Sequence, residues 1–371
     1  MKERFEVLDI FRGIFSSLVV FFHLSTFSDT PIINNNFVYN SDLFVDFFFV
    51  LSGFVITYSY QLIKSNRELG HFYQKRFFRL YPLHIIMFLL FVVIELPKHF
   101  VYGYVHVNKI VNESNNLASA ISNVFLLNSV KLPGINDVSW NIASWSISAE
   151  MIAYLVFGLI ALFINRIGLL KVRTTIYLLV VLLTGFFLHW LTGGGKLVYS
   201  FDFGFLRGIL GFFIGCVCFC TFDSLKDYFR SFNKVIFTIW EIILIITTIT
   251  LVWLGSAFKD YGYIYEVLFF ITILIFSFEK GLISDWLKRS TFLHRVGKYS
   301  YSIYMTHTLI LSLFNVLFVR ILKFPPSAYA YLFILNYALI YWASAWTFKN
   351  IEMRFNQISF AQKDKKAWWL W

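Results

Sequence analysis

The sequence predicts an all-α integral membrane protein, a bundle of about ten transmembrane helices with both termini in the cytoplasm. Three observations support this fold class. Of the 371 residues, 58% are hydrophobic, 21% are aromatic and only 14% are charged, which is unlike soluble domains. Apolar runs of about 17 to 22 residues recur along the chain, and each is long enough to cross the hydrocarbon core as a helix. Finally, Lys and Arg residues are distributed unequally between alternate loops.

The predicted helices lie near residues 8–27, 42–62, 81–97, 143–164, 175–191, 204–222, 235–255, 263–279, 299–319 and 328–348. With both termini inside, the cytoplasmic stretches hold 23 Lys and Arg residues and the outside loops hold 7, while two arginines lie within helices. Because cytoplasmic loops carry an excess of Lys and Arg, this count predicts cytoplasmic termini. We therefore expect a multi-pass protein of the cell's inner (plasma) membrane.

The chain is predicted to form one transmembrane domain, residues 1–350, followed by a basic and aromatic cytoplasmic tail, residues 351–371. The outside loop 98–142 contains an amphipathic run, 117–128, that predicts a re-entrant or interfacial helix. The net charge of +11 comes from short basic blocks between apolar runs, which favours contact with lipid headgroups over nucleic acid. The cysteines of C-V-C-F-C, 216–220, spread around a helix without a nearby histidine, so no metal is expected.

Arg12 and His23 lie within the first predicted helix. A helix turns 100° per residue, so the step between them leaves both on nearly one face, roughly 16 Å apart along the axis. A charge inside the bilayer costs about 2.5 to 3.5 kcal/mol on insertion scales, which makes such residues functional candidates. Alternatively, Arg12 reaches the inner headgroups and His23 hydrogen-bonds at the outer boundary. Their shared face favours a common polar tunnel.

The second predicted helix carries Asp46 and a Ser52-Gly53 break in DLFVDFFFVLSGFVIT. Asp46 can pair with a buried arginine, and the glycine allows close helix packing, so structure alone can explain both. The segment FYQKRFFRLYP then places Arg76 and Arg79 on one face of a helical turn at the cytoplasmic boundary. Two guanidinium groups on one face can clamp phosphates, although ordinary positive-inside charge is the alternative reading.

The segment SWNIASWSISAEMIAY, 139–154, is rich in polar residues and ends in a carboxylate at the outer start of a helix. Its candidate substrate contacts are Asn141, Trp145, Ser146 and Ser148, and Glu150 follows them. A carboxylate among hydroxyl groups can orient an imidazole or a sugar hydroxyl, and tryptophan stacks well on sugar rings. In the structural alternative, serine and asparagine cap the helix and tryptophan belongs to the interfacial belt.

Six blocks occur here in the order seen in the acyltransferase 3 family of membrane proteins, which the chain resembles over nearly its whole length. They are LDIFRGIFSSLVVFFHL, DLFVDFFFVLSGFVIT, KRFFRLYP, WSISAE, RGILGFFIG and VGKYSYSIYMTH. The most specific elements are Arg-x10-His, here Arg12 and His23, and Arg-x-x-Arg, here Arg76 and Arg79. Family members often have a proline after the glutamate of a segment that here reads IEMRF, 351–355, which puts one helix end in doubt.

The resemblance implies ten core helices and transfer of an acyl group, usually acetyl, from cytoplasmic acyl-CoA to a carbohydrate. It implies acyl-CoA as donor, held by Arg12, Arg76 and Arg79, and a cell-surface or lipid-linked glycan as acceptor. His23 and Glu150 are the expected catalytic residues. Supporting or substrate-binding roles are expected for Asp46, Ser52, Asn141, Trp145, Ser146, Ser148, Arg207, Tyr301 and His307. The chain is expected to be the stand-alone form, without an esterase-like domain, and its expected partners are acyl-CoA, the glycan acceptor and membrane lipids.

Histidine suits a general base because its ordinary pKa lies near working pH, and a covalent acyl-histidine intermediate is an open alternative. The acyl length and the choice between O-acylation and N-acylation of an amino sugar also stay open, as does the oligomeric state. A transporter or flippase would place its intramembrane charges on a substrate pathway, but one for neutral or cationic solutes has no need of paired arginines. A structural subunit of a polysaccharide export complex would tolerate loss of His23.

Overall fold

The computed structural model describes residues 4–101, 114–329 and 331–360. Ten helices of 14 or more residues lie at the ten predicted positions in this part of the chain. They are α1 Glu6–Ser25, α2 Phe44–Tyr60, α3 Asn66–Val101, α4 Trp145–Ile167, α5 Arg173–Thr192, α6 Gly204–Arg230, α7 Lys234–Trp253, α8 Tyr263–Phe276, α9 Thr291–Asn315 and α10 Phe333–Thr347. The described residues contain no strand, only one isolated bridge between Gly195 and Tyr261.

Eight of the ten helices are long and apolar enough to cross a membrane. The exceptions are α8 and α10, with 14 and 15 residues, which are shorter than the roughly 20 residues that a full crossing needs. The predicted all-helical membrane bundle is therefore confirmed. The number of ten crossings and the cytoplasmic position of the termini stay predictions.

Helix α3 begins at Asn66, well before the predicted start at residue 81. The prediction followed apolar residues alone, whereas the charged residues 67–79 continue the same helix out of the apolar region. Pro82 lies inside this helix and does not end it. Arg76 and Arg79 therefore project from a continuous rigid element, which fixes their positions relative to the rest of the bundle.

The loop run 117–128 forms a helix over Leu117–Val124, as predicted. Asn116 caps it: its side chain accepts from the Ser119 backbone N–H, and the Ser119 hydroxyl accepts from the Asn116 N–H. Tyr81 of α3 donates to the Val124 carbonyl oxygen at 3.0 Å, which docks the short helix on the bundle. Residues 102–113 of the same loop lie outside the described residues.

The C-terminal segment, predicted to be a cytoplasmic tail from residue 351, begins as a helical continuation of α10. A π-helical turn, Phe348–Glu352, extends α10 and is followed by the helix Met353–Phe360. The absence of a proline after Glu352 thus lets the helix continue. Residues 361–371 of the predicted tail lie outside the described residues.

Helices α1 and α9 cross at two glycines, with both chains running in the same direction. A Cβ atom on Gly13 would lie 2.4 Å from the Gly297 backbone nitrogen, so no larger residue fits without moving a helix. At the periphery, apolar side chains such as Leu182 of α5, Ile246 of α7 and Trp342 of α10 are largely exposed. Lipid tails would cover these surfaces in a membrane, which leaves the polar groups in the centre of the bundle.

Candidate active site

An internal cavity lies among α1, α2, α3, α4 and α9 and holds about 790 Å³ of empty space, its solvent-open part included. Its polar and aromatic lining residues are Arg12, Ser16, Ser52, Arg76, Arg79, Ser146, Glu150, Tyr154, Ser300, Tyr301 and Tyr304. Three guanidinium groups from two helices thus line the same cavity as one carboxylate group. The arginines predicted to hold a donor, separated by more than sixty positions in the sequence, are neighbours in the fold.

Arg12 is held by two groups, one on α9 and one on its own helix α1. Its Nε donates to Ser300 Oγ at 2.8 Å, and its Nη2 lies 3.2 Å from Asp9 Oδ1, one turn earlier on the same helix. The side chain is half-buried, with 20% of its surface exposed. These contacts fix the guanidinium group at the cavity wall.

Arg76 and Arg79 reach the cavity from α3 in different surroundings. The buried Arg76 guanidinium group lies over the Tyr60 and Tyr154 rings, 5.2 and 5.9 Å from their centroids, which is cation–π geometry. Arg79 binds Glu352 through Nη1 at 2.8 Å and lies 5.6 Å from the centroid of Tyr301. The faces of aromatic rings thus hold both guanidinium groups at the cavity wall.

Glu150 accepts hydrogen bonds from Ser52 Oγ at 2.6 Å and from the Tyr154 hydroxyl group. Ser52 and Tyr154 are also 3.0 Å apart, so the three residues form a closed group on α2 and α4. Glu150 and Ser52, both predicted site residues, are therefore in direct contact. Within the described part of the chain, Glu150 hydrogen-bonds to these two hydroxyl groups and makes no hydrogen bond to His23.

His23 lies next to His307 rather than on the cavity wall. The two rings are 5.0 Å apart between centroids, and His307 is fully buried. The cavity contains Arg12 and reaches Tyr304, whose ring centroid is 5.8 Å from that of His307. The cavity therefore holds the Arg12 end of the predicted tunnel and extends to Tyr304, which lies beside His307.

Asp46 and Arg207 form the buried ion pair that the sequence left open. Arg207 donates through Nε and Nη2 to the two Asp46 oxygens at 2.6 and 2.9 Å, and through Nη1 to the Tyr199 carbonyl oxygen at 3.2 Å. Its guanidinium group lies 5.2 Å from the Trp145 ring centroid. The pair links α2 to α6 and uses all three nitrogens of the arginine, which is typical of a structural role.

The remaining predicted residues act mostly as links between helices. Asn141 donates to the Met305 carbonyl oxygen at 3.0 Å, and Ser146 donates to the Tyr304 hydroxyl at 2.9 Å. Ser148 donates to the Leu126 carbonyl oxygen at 2.6 Å, and Tyr301 donates to the Leu80 carbonyl oxygen at 2.5 Å. Of these, Ser146 and Tyr301 line the cavity, whereas Asn141 and Ser148 are buried outside its lining.

A family model described as Acyltransferase domain matches residues 5–345, which is nearly the whole chain. The chain belongs to the acyltransferase 3 family. A curated relative, Protein 2 in picA locus of Rhizobium radiobacter, is 37% identical over 86 residues, which cover 23% of this chain and 42% of that protein. The aligned part therefore spans less than half of the relative's length. No solved structure matches the chain.

The cavity also contains residues that the motif analysis did not single out. Tyr154, Ser300 and Tyr304 line it, and Glu352 anchors Arg79 from behind. Tyr154 could have been found from its spacing of one helical turn from Glu150, and Ser300 and Tyr304 belong to the quoted block VGKYSYSIYMTH. Glu352 follows the last apolar run, and nothing in its local sequence indicates a buried partner.

Proposed function

We propose that this membrane acyltransferase moves an acyl group, acetyl in the first instance, from cytoplasmic acyl-CoA to a hydroxyl group of a cell-surface or lipid-linked glycan. One observation carries the proposal: Arg12, Arg76 and Arg79 converge on a single cavity beside Glu150. Guanidinium groups bind phosphate oxygens through paired hydrogen bonds, and coenzyme A carries phosphates at the end opposite its thioester. A transporter of neutral solutes has no use for such a constellation.

The donor would bind with its phosphates at the arginine end and its pantetheine arm along the cavity. That arm is on the order of 15 to 20 Å long, and the axial step from Arg12 to His23 is roughly 16 Å from the helical rise. The thioester would then reach the neighbourhood of Tyr304 and His23. This arrangement requires the arginine end to face the cytoplasm, where acyl-CoA is made available.

In the proposed reaction, the acceptor oxygen attacks the thioester carbonyl carbon. The new O–C bond forms as the C–S bond breaks, His23 takes the hydroxyl proton, and the thiolate leaves and is protonated. Glu150, held by Ser52 and Tyr154, is placed to accept a hydrogen bond from a second hydroxyl group of the acceptor and so to orient it. An amino sugar would react by the same steps and give an amide.

The test is acyl transfer by the purified protein with acetyl-CoA and a crude glycan acceptor, followed as release of free coenzyme A thiol. His23→Ala should lower transfer by about 10² to 10⁴ while leaving acetyl-CoA affinity within a few-fold, because the phosphates are held elsewhere. His189→Ala is the control, since His189 is exposed on α5, outside the cavity lining. Near-normal transfer by His23→Ala would overturn the assignment of the base. Lability of the product to mild alkali distinguishes an ester from an amide.

The proposed orientation has its own test, by labelling introduced cysteines in intact cells with a membrane-impermeant maleimide. The three native cysteines are buried, so they contribute little background. Exposed positions suit the two reporters: Asn136→Cys should react from outside, and Arg67→Cys should react only after permeabilisation. The reverse pattern would put the arginine end on the wrong side for acyl-CoA.

A further inference from the structure

His307 presents an unusual imidazole at the centre of the bundle. Its Nδ1 lies 2.6 Å from the Tyr304 carbonyl oxygen, and a carbonyl oxygen can only accept. The proton of the neutral ring is therefore on Nδ1, which leaves Nε2 with a lone pair. Nε2 is buried and has no hydrogen-bond partner among the described residues. The backbone thus fixes one tautomer and holds an unused basic nitrogen inside the protein.

The neighbour of this nitrogen is His23. The ring centroids are 5.0 Å apart, the planes are inclined by 35°, and His23 is only half-buried on α1. Two imidazolium ions at this separation would repel strongly inside the bundle, so the pair holds at most one extra proton. Among the described residues, Asp42 is a further charge that acts on His23, and it is paired with Lys259 at 3.0 Å.

We propose that His307 is a positioning residue that relays a proton for His23, with its Nε2 accepting the proton that His23 gives up during acyl transfer. The inference rests on the proposed function and adds a second group to it. A rotation of the half-buried His23 ring about its side-chain bonds brings a ring nitrogen toward Nε2. The Tyr304 carbonyl oxygen then stabilises the resulting cation, because it already binds the opposite N–H.

The proton movements balance within the reaction. As the acceptor oxygen forms its bond to the acyl carbon and the C–S bond breaks, the hydroxyl proton moves to one nitrogen of His23. The proton on the other His23 nitrogen moves to His307 Nε2. Both protons then step back, and the departing coenzyme A thiolate takes the one that the hydroxyl lost. The histidines end as they began, and no oxidant, metal or further reactant is needed.

His84 provides a matched comparison within the same chain. It is also fully buried, its Nε2 lies 2.8 Å from the Asn123 carbonyl oxygen, and its Nδ1 has no hydrogen-bond partner among the residues that the structure describes. Its neighbouring ring is Tyr81 rather than a second imidazole, at 6.2 Å between centroids. If a buried histidine matters only for packing, replacing His84 and replacing His307 should have similar effects.

The experiment compares His307→Asn, His307→Gln and His84→Asn with wild-type protein. Asparagine can keep the hydrogen bond to the Tyr304 carbonyl oxygen, and glutamine can put a polar but non-basic atom near the position of Nε2. Measurements on full-length protein in detergent are acetyl-CoA affinity, kcat and KM for transfer, and kcat as a function of pH. The relay predicts that both His307 variants lower kcat by about 10² with acetyl-CoA affinity within twofold.

The pH profile separates relay from packing. Because the two histidines share a proton, loss of His307 should move the acidic limb of the kcat profile to lower pH, whereas a packing defect lowers the whole curve without moving it. His84→Asn should leave the limb in place. Unchanged kcat, or a lowered curve with an unmoved limb, in both His307 variants overturns the relay alone. A wild-type protein that releases no coenzyme A overturns the proposed function, and the relay with it.

Discussion

Arg207 and Arg79 are both bound by a carboxylate from another helix, yet their guanidinium groups differ in how many N–H donors remain for a ligand. Arg207 uses two nitrogens on Asp46 and the third on the Tyr199 carbonyl oxygen. Arg79 meets Glu352 through one nitrogen and lies on the wall of the cavity. All three nitrogens of Arg207 are used in hydrogen bonds within the protein, whereas Arg79 is held by one nitrogen and can still bind a ligand.

This difference separates a structural charge from a ligand-binding charge at similar burial. A fully engaged arginine stabilises the contact between two helices, and removing either partner leaves an uncompensated charge. A partly engaged arginine costs less to hold in place and keeps donors for a phosphate. The motif positions alone do not distinguish the two, because both arginines lie in quoted blocks of the sequence and neither block shows which carboxylate its arginine meets.

The largest effect expected from this comparison is on stability at the structural pair. Asp46→Leu or Arg207→Leu should each lower the free energy of unfolding by about 3 to 5 kcal/mol, because the remaining charge is buried without its partner. Thermal or denaturant unfolding in detergent measures the loss. The double variant should recover a large part of it, and a double variant no better than the worse single one would contradict the pairing argument.

At the cavity the expected effect is on binding instead. Arg76→Lys or Arg79→Lys should weaken acetyl-CoA binding about tenfold, or about 1.4 kcal/mol, because lysine keeps the charge and loses the planar fork. Calorimetric titration gives the affinity, and unfolding should stay near wild type. Arg166→Lys serves as the control, since Arg166 is exposed and binds Asn66. Unaltered affinity in both cavity variants would remove the arginines from the donor site.

A smaller effect, of opposite sign, is expected at Glu352. Glu352→Gln keeps the shape of the side chain but removes the negative charge that competes with a phosphate for Arg79. Affinity for acetyl-CoA should rise about two- to fivefold, more at low ionic strength. Measuring this affinity at several salt concentrations provides an internal control, because an electrostatic effect should shrink as ionic strength rises. A fall in affinity would mean that Glu352 mainly positions Arg79 and that the anchored state is needed for binding.

The smallest effect is expected at Glu266 of α8, near the structural pair. Both carboxyl oxygens are buried, and neither has a hydrogen-bond partner among the residues described. An isolated buried carboxylate is so unfavourable that the group should be neutral, with Asp46 alone balancing Arg207. Glu266→Gln should then change the free energy of unfolding by less than about 1 kcal/mol. A change of several kcal/mol in the same unfolding assay would show that Glu266 is ionised.

The sequence predicted the helices well because the length of each apolar run indicates the extent of the helix. It predicted the start of α3 poorly, since helical residues beyond the apolar region carry charges that look like a loop. It also identified Arg12, Arg76 and Arg79 as one group, and the cavity brings them together. That grouping came from a motif resemblance and not from local periodicity, and the donor-binding role of the three arginines stays a prediction.

Contacts between distant segments were beyond sequence reasoning. The sequence indicated that Asp46 can pair with a buried arginine, but nothing in its own helix identifies that partner as Arg207. His307 was a candidate without a partner, and its position beside His23 depends on the packing of the first helix against the ninth. Glu352 was missed because its burial follows from the π-helical turn at the end of α10, which turns the carboxylate toward Arg79.

Because α1 and α9 pack closely at Gly13 and Gly297, the sequences of these two helices depend on each other. Gly13 adjoins Arg12, and Gly297 lies one turn before Ser300, so the same contact sets the donor anchor and, further along, the distance between the two histidines. A chimera that takes α1 alone from another family member would introduce a helix whose packing surface is complementary to a different ninth helix. Exchanging both helices together should preserve activity where exchanging either one fails, although they lie near opposite ends of the gene.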